Sequence, residues 1–369
     1  MKKLQKCLLG LVAVSLLGIG ACSNSGDEEN VSMNETDSHA VAYGETVDFA
    51  WANAAVVLYD MNEKETFCSG TLIHPKWVLT AAHCVAETSA KTPSPKRYAK
   101  DVKVGFGNNL DEFLKHMYQV KNIYFHQNFA DFDDLGFSND IALLELSKSV
   151  PATTALPIPP LTMEDAISNE RLAAENIELT VMGFGDDGDY NYDTKLYTVV
   201  PLLACCSAAN DDSVNGCSYY NQNVPLGTLY YNFVEGAGSC HGDSGGPLFI
   251  DTKEYPGRAV AGATSYGDEY CLKYSIDTLV QDYYDSFILK HAPEVKTYYE
   301  ERRNKINAEL EAGSCGNELM SYCRLLSDNR EITECIVGTD KSVECVSSCK
   351  DGACSLCLKD GVVSDGVCM

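Results

Sequence analysis

Apolar and β-branched residues recur through the middle of the chain in short runs, each broken by glycine, proline, asparagine or aspartate. Ala54–Tyr59, Thr71–Ile73, Trp77–Thr80, Ile141–Leu146, Ile177–Met182, Pro247–Ile250 and Val260–Tyr266 read as strands. Short strands punctuated by turn residues predict an all-β sandwich or barrel. A helical period then covers about Leu279–Lys290. A second, more charged one covers Glu294–Ala312, with Val295, Tyr298, Tyr299, Ile306 and Leu310 as its apolar members and Gly313 to stop it.

The start of the chain has a different pattern. Lys2, Lys3 and Lys6 precede a nearly apolar stretch, Leu8–Ile19. That stretch is shorter than the about 20 residues a membrane span needs, and it reads as an export signal. It ends in Ile19-Gly20-Ala21-Cys22, which resembles the lipobox of bacterial lipoproteins. The resemblance implies cleavage before Cys22, lipidation of Cys22 and, with Ser23 next, sorting to the outer membrane or cell envelope. A plain secretory signal cut near Ala21 is the alternative, and both readings export the chain. Ser23–Ala40 holds Asp27, Glu28, Glu29, Glu35 and Asp37 with no Lys or Arg, the pattern of a self-repelling, disordered tether.

Charge and cysteine content narrow the function classes. The 28 Lys and Arg face 53 Asp and Glu, a formal net charge of -25, which argues against a protein built to grip nucleic acid. Seventeen cysteines in an exported chain point to disulfides rather than to cytosolic metal or redox chemistry. A length of 369 residues allows about two to three folding units.

Three segments place reactive residues at strand ends. They are Leu79-Thr80-Ala81-Ala82-His83-Cys84, Asn139-Asp140-Ile141-Ala142-Leu143-Leu144 and Gly238-Ser239-Cys240-His241-Gly242-Asp243-Ser244-Gly245-Gly246-Pro247-Leu248. A serine hydroxyl is a poor nucleophile at neutral pH and needs a base in hydrogen-bond reach, itself oriented by a third group. In this order the three segments resemble the chymotrypsin/trypsin family of serine peptidases, over about Val41–His291. The resemblance implies two six-stranded antiparallel β-barrels with a cleft between them, a peptide or protein substrate, and no cofactor or metal. His83 would be the base, Asp140 its orienting carboxylate and Ser244 the nucleophile. Gly242 and Ser244 would give the oxyanion-hole N–H groups.

The same resemblance implies an activation step and a specificity pocket. Asp243 would pair with the ammonium freed by a cut before Val41, made by an activating protease. Val41-Ala42-Tyr43-Gly44 is a degraded form of the family's usual start, with Tyr43 for the first glycine, and His39 and Ala40 offer no basic residue to a trypsin-like activator. Ser265, Tyr266 and Gly267 would line the substrate backbone, and Ser265 would also hydrogen-bond Asp140. Gly238 stands at the pocket floor, where trypsins carry Asp, and Ser239 follows it. Asp277 lies six residues after Cys271. Ungapped alignment sets it on another pocket wall, but a stretch about one residue short would turn it to solvent. His241 reads as a surface group. His126 with Asp131, Asp133 and Asp134 could form a calcium site, although a solvated acidic loop fits better.

Among the cysteines, the resemblance implies Cys68–Cys84 beside His83 and Cys240–Cys271 across the pocket. Cys217 would pair with Cys205 or Cys206. Eight more run from Cys315 to Cys368, in a segment too small to build much core without staples. Four disulfides are the leading reading there, and a zinc knuckle or redox dithiol at Cys354-x-x-Cys357 the alternative. The expected organisation is signal (1–22), tether (23–40), peptidase domain (41–291), then helix and Cys-rich module (292–369). The expected function is an exported, lipid-anchored serine endopeptidase. Its rivals are a catalytically silent binding protein on the same fold and an envelope adhesion or scaffold protein working through the Cys-rich module.

Overall fold

The computed structural model describes residues 41–365 apart from 48–49, 89–91, 132–135, 208–217, 220–221, 224–225, 253–256, 327–331, 350–351 and 360–361. The signal with Cys22, the acidic tether, Asp133, Asp134, Cys217, Cys368 and the side chains of Cys349 and Cys354 lie outside the described residues.

Six strands close the first antiparallel barrel: β1 (Ala55–Asp60), β2 (Glu65–His74), β3 (Trp77–Thr80), β4 (Val102–Gly105), β5 (Met117–Phe125) and β6 (Ala142–Leu146). Val56, Leu58, Leu72, Val78, Val104 and Leu144 fill it. β1 is apolar almost throughout because both of its faces are covered. Val56 and Leu58 enter the barrel, whereas Val57 packs outward on Phe113 and Phe184. The second barrel closes through β7 (Glu178–Gly183), β8 (Leu196–Cys206), β9 (Thr228–Asn232), β10 (Pro247–Asp251), β11 (Arg258–Gly267) and β12 (Tyr274–Leu279). A third core joins the barrels, with Ile73, Trp77 and Ile141 from one meeting Met182, Phe249 and Val260 from the other.

The seven anticipated strands are present, β2 and β11 longer than expected. β4, β5, β8, β9 and β12 were not anticipated. β5 carries Lys121 and Asn122 in its middle and β12 carries Ser275 and Asp277, so neither shows an apolar run. The predicted helix at Leu279–Lys290 is three short turns: 3-10 at Val280–Tyr283, π at Tyr284–Ile288 and α at Leu289–His291. Packing of Val280, Phe287 and Ile288 into the inter-barrel core takes precedence over a regular helix there.

Helix α1 (Glu294–Glu311) follows, close to its expected bounds. Gly313 ends it at φ +62°, with the N–H groups of Gly313 and Ser314 donating to Leu310 O and Glu309 O. Tyr299 OH donates to Ile73 O at 2.9 Å, which fastens α1 to the first barrel. Then come α2 (Asn317–Leu326) and a four-stranded antiparallel meander, β13 (Ile332–Val337), β14 (Val343–Cys349), β15 (Gly352–Lys359) and β16 (Val362–Asp365). Cys315–Cys335 and Cys323–Cys345 staple this region. It also has a core of its own, in which Ile306 of α1 meets Leu319, Tyr322, Ile332, Val343 and Leu356. That corrects the expectation of little core: α2 and the meander supply most of the buried residues, and Ile306 of α1 completes them. Cys357 is also disulfide-bonded, which leaves it no thiolate for zinc.

Candidate active site

His83 sits on a single 3-10 turn, Ala82–Cys84, directly after β3, and the Cys68–Cys84 disulfide ties that turn back to β2. Asp140 immediately precedes Ile141 and β6. The chain reaches it through Asn139 at φ +50°, a conformation asparagine tolerates better than most residues. His83 Nδ1 lies 2.7 Å from Asp140 Oδ2, and the His83 backbone N–H donates to Oδ1 at 2.8 Å. Ser265 Oγ donates to Oδ2 at 2.6 Å, and Thr278 Oγ1 donates to the Asp140 carbonyl at 2.8 Å. Asp140 is 2% exposed. Burial alone would raise its pKa, but His83 and the hydrogen bonds from His83 and Ser265 together hold it below the usual carboxylate value. An ionised Asp140 takes the Nδ1 proton of His83 as donor and leaves Nε2 as the basic nitrogen. The ring of Phe137 stacks on His83 at 4.8 Å, and Tyr266 meets Phe137 edge-on at 6.0 Å.

The other half of the site comes from the second barrel. Ser244 lies on the turn that leads into β10. Gly242 begins that turn at φ +96°, where an L side chain is strained. Ser69 N–H donates to Ser244 O at 2.8 Å, and Ser69 Oγ donates to Gly242 O at 3.0 Å. Ser69 adjoins Cys68, whose disulfide partner adjoins His83, so the Ser244 turn is held against the histidine's own support. The N–H groups of Asp243, Gly245 and Gly246 are committed to Cys240 O, Thr264 O and Asp243 O.

Asp243 is fully buried. Its two oxygens accept N–H groups of Gly185 and Cys240, each at 2.8 Å. Burial pushes it up to about 7, with Asp186 adding to the rise and the two N–H donors opposing it. Among the described residues no cationic side chain pairs with it. Val41 is also fully buried, against Leu196, and holds φ +52°, a strained value for a β-branched residue. The next residue, Ala42, bridges to Gly238, the expected pocket-floor residue, whose N–H donates to Ala42 O at 3.3 Å.

Around Gly238 the expected pocket residues converge. Cys240–Cys271 is a disulfide. Phe233 packs so closely on Gly238 that a side chain at this position would collide with its ring. Tyr231 OH donates to Ser239 Oγ at 2.9 Å, and Ser239 Oγ donates to Ser275 Oγ at 3.0 Å. Gly267 pairs with Ser275 and Tyr266 with Ile276 across the β11–β12 ladder. Asp277 does not face solvent, because it is fully buried. Its Oδ1 accepts the Ser265 N–H at 2.9 Å and lies 2.9 Å from Ser275 Oγ, and burial pushes it up to about 8. His241 is exposed, as expected, with Nε2 3.2 Å from Glu269 O. Beside Gly242 and His241, Val57, Phe67, Phe184 and Tyr192 line an apolar recess.

Sequence reasoning missed Phe137, Tyr231, Phe233, Ser275 and Thr278. Phe137 had a signal, an aromatic three residues before Asp140. The others lie on β9, β12 or the loop after β9, and no local pattern marks them.

The trypsin family model matches residues 48–287. The chain is 26% identical over 262 residues to a trypsin of Phaedon cochleariae, covering 69% of this chain and 87% of that protein. It is 30% identical over 227 residues to brachyurin of Leptuca pugilator, covering 60% and 84%. A trypsin of Simulium vittatum is 26% identical over 251 residues, covering 66% and 87%. With its two closed barrels and a buried Asp140 bonded to His83, the chain belongs to the trypsin family of serine peptidases.

Proposed function

We propose that the protein is an exported serine endopeptidase that cleaves peptide bonds through an acyl-enzyme. The observation that carries this reading is the buried Asp140 carboxylate, 2.7 Å from His83 Nδ1, with the Ser244 turn fastened to the same β2 segment. Ser244 attacks the scissile carbonyl. His83 Nε2 takes its proton and returns it to the leaving amine, and Asp140 stabilises the imidazolium. The N–H groups of Gly242 and Ser244 receive the oxyanion, each worth about 10²–10³ in rate. The substrate backbone lies along Ser265–Gly267, and its side chain enters the pocket over Gly238 and Ser239. A floor without a carboxylate at Gly238 does not favour Lys or Arg there.

Activation follows from a cut before Val41. The φ of Val41 exists only while the bond to residue 40 is intact, so the cut releases that strain. The new ammonium is then available to Asp243, a buried carboxyl with no cationic side chain paired to it among the described residues. An export signal, lipidation at Cys22 and release from the envelope by the same cut complete the proposal, on the sequence pattern alone. Labelling by a fluorophosphonate probe tests the activity, with Ser244→Ala as control. Equal labelling of the two proteins would overturn it in favour of a silent binding protein. N-terminal sequencing of active material tests the activation step, and a start at Cys22 or Ser23 would exclude it.

A further inference from the structure

The β11–β12 ladder pairs Ala263 with Thr278 and Tyr266 with Ile276, so two residues of β11, Thr264 and Ser265, oppose one residue of β12, Asp277. The bulge frees both β11 residues for other partners. Thr264 turns its backbone to the nucleophile loop, with Gly245 N–H donating to Thr264 O at 2.7 Å and Thr264 N–H donating to Gly246 O at 2.9 Å. Ser265 turns its hydroxyl to Asp140 Oδ2 at 2.6 Å. The ladder then offers no carbonyl to the Ser265 N–H, and the Asp277 carboxyl replaces it at 2.9 Å. The neighbouring Thr278 holds the Asp140 carbonyl. The second oxygen, Asp277 Oδ2, is buried without a hydrogen-bond partner among the described residues.

We infer that Asp277 is a positioning residue for the triad: its Oδ1 closes the bulge that holds Ser265 on Asp140 and Thr264 on the Ser244 loop. This rests on the peptidase reading above. It assigns Asp277 to the back of the catalytic apparatus rather than to recognition of a substrate side chain. The carboxyl is suited to the place. Burial keeps it protonated at neutral pH, so it adds no second negative charge beside Asp140. An amide oxygen could accept the same N–H, whereas an alanine leaves the bulge without an acceptor.

The test uses the full chain and its Asp277→Asn, Asp277→Ala and Ser265→Ala variants, with two readouts. One is the rate of fluorophosphonate acylation of Ser244, which needs no knowledge of the substrate. The other is the downfield NMR resonance of the proton between His83 Nδ1 and Asp140. Asp277→Ala should slow acylation about 10–100-fold, the scale of a small misplacement in a catalytic site, and move the resonance. Asp277→Asn should restore most of the rate and the resonance position. In the Ser265→Ala background, Asp277→Ala should cost less, because part of its route is gone. If Asp277→Ala does not fold, Asp277→Ser serves, since its short hydroxyl cannot span to the Ser265 N–H. An Asp277→Ala protein with wild-type acylation and an unmoved resonance overturns the inference. So does a loss confined to peptides with a basic residue at the cleavage point and shared by Asp277→Asn, which would make Asp277 a pocket wall. If wild type labels no better than Ser244→Ala, the peptidase reading has failed, and the resonance alone still reports whether Asp277 positions the His83–Asp140 pair.

Discussion

The indole N–H of Trp77 donates to Glu294 Oε1 at 2.6 Å, joining the strand that leads to His83 with the first residue of the C-terminal helix. Trp77 is 3% exposed whereas Glu294 is exposed, so the bond lies at the rim of the inter-barrel core, where Ala292 and Val295 enter it. The extension after the peptidase barrels is therefore built into the inter-barrel core. Glu294→Ala should take the acceptor from the indole N–H and cost about 1 kcal/mol. Glu294→Gln, which keeps an acceptor, should cost clearly less. Urea denaturation of the full chain measures both, and equal midpoints for wild type and Glu294→Ala would refute the coupling.

The His83–Asp140 bond sets the tautomer of the base. Asp140→Asn should therefore leave the fold intact and lower kcat about 10⁴-fold. Ser244→Ala and His83→Ala should each remove most of the activity, and combining them should remove little more, since they act as a unit. Single-turnover kinetics on a chromogenic ester would detect both effects.

Asp243 gives the single chain a pH-dependent stability of definite sign. Its folded pKa, about 7, lies above the unfolded value of 3.8, so between these limits the folded state binds more protons. Its contribution is fully present below the unfolded pKa and is lost as pH rises toward 7. Uncleaved Ser244→Ala protein should thus lose stability across that window, and adding Asp243→Asn should flatten this part of the slope. A cut before Val41 should abolish this part of the slope and place an opposite one below the unfolded pKa, because pairing with the ammonium lowers the carboxyl. Chemical denaturation at a series of pH values distinguishes the three forms.

The Cys68–Cys84 bridge spans a sequence separation of 16 and holds the His83 turn to β2. Replacing both cysteines by serine should cost roughly 3 kcal/mol on the loop-entropy account. It should also lower activity more than the equivalent change at Cys323–Cys345, which lies in the C-terminal module. Fluorophosphonate labelling beside denaturation midpoints separates the two effects.

The triad candidates were readable because each sits in a compact motif whose neighbours serve local backbone geometry: Ala82 and Cys84 around His83, Asn139 before Asp140, glycines around Ser244. The helix at Glu294 was readable because its period and its glycine stop are local. Half of the second barrel was not. β12 reads as a polar segment, Tyr-Ser-Ile-Asp-Thr-Leu, because its inward face serves the site instead of an apolar core.

The sequence by itself determined the family, the roles proposed for His83, Asp140 and Ser244, and the disulfides beside two of them, since these depend on residue type and short spacing. Only the tertiary structure decided what Asp277 does. Its role comes from a bulge across from Ser265, and pairing register between strands is set by the closed barrel rather than by spacing along the chain. The same holds for the C-terminal module. Its disulfide partners meet through the pairing of α2 with the meander around a core of their own, and its bond to Trp77 forms because the inter-barrel core brings Glu294 to β3.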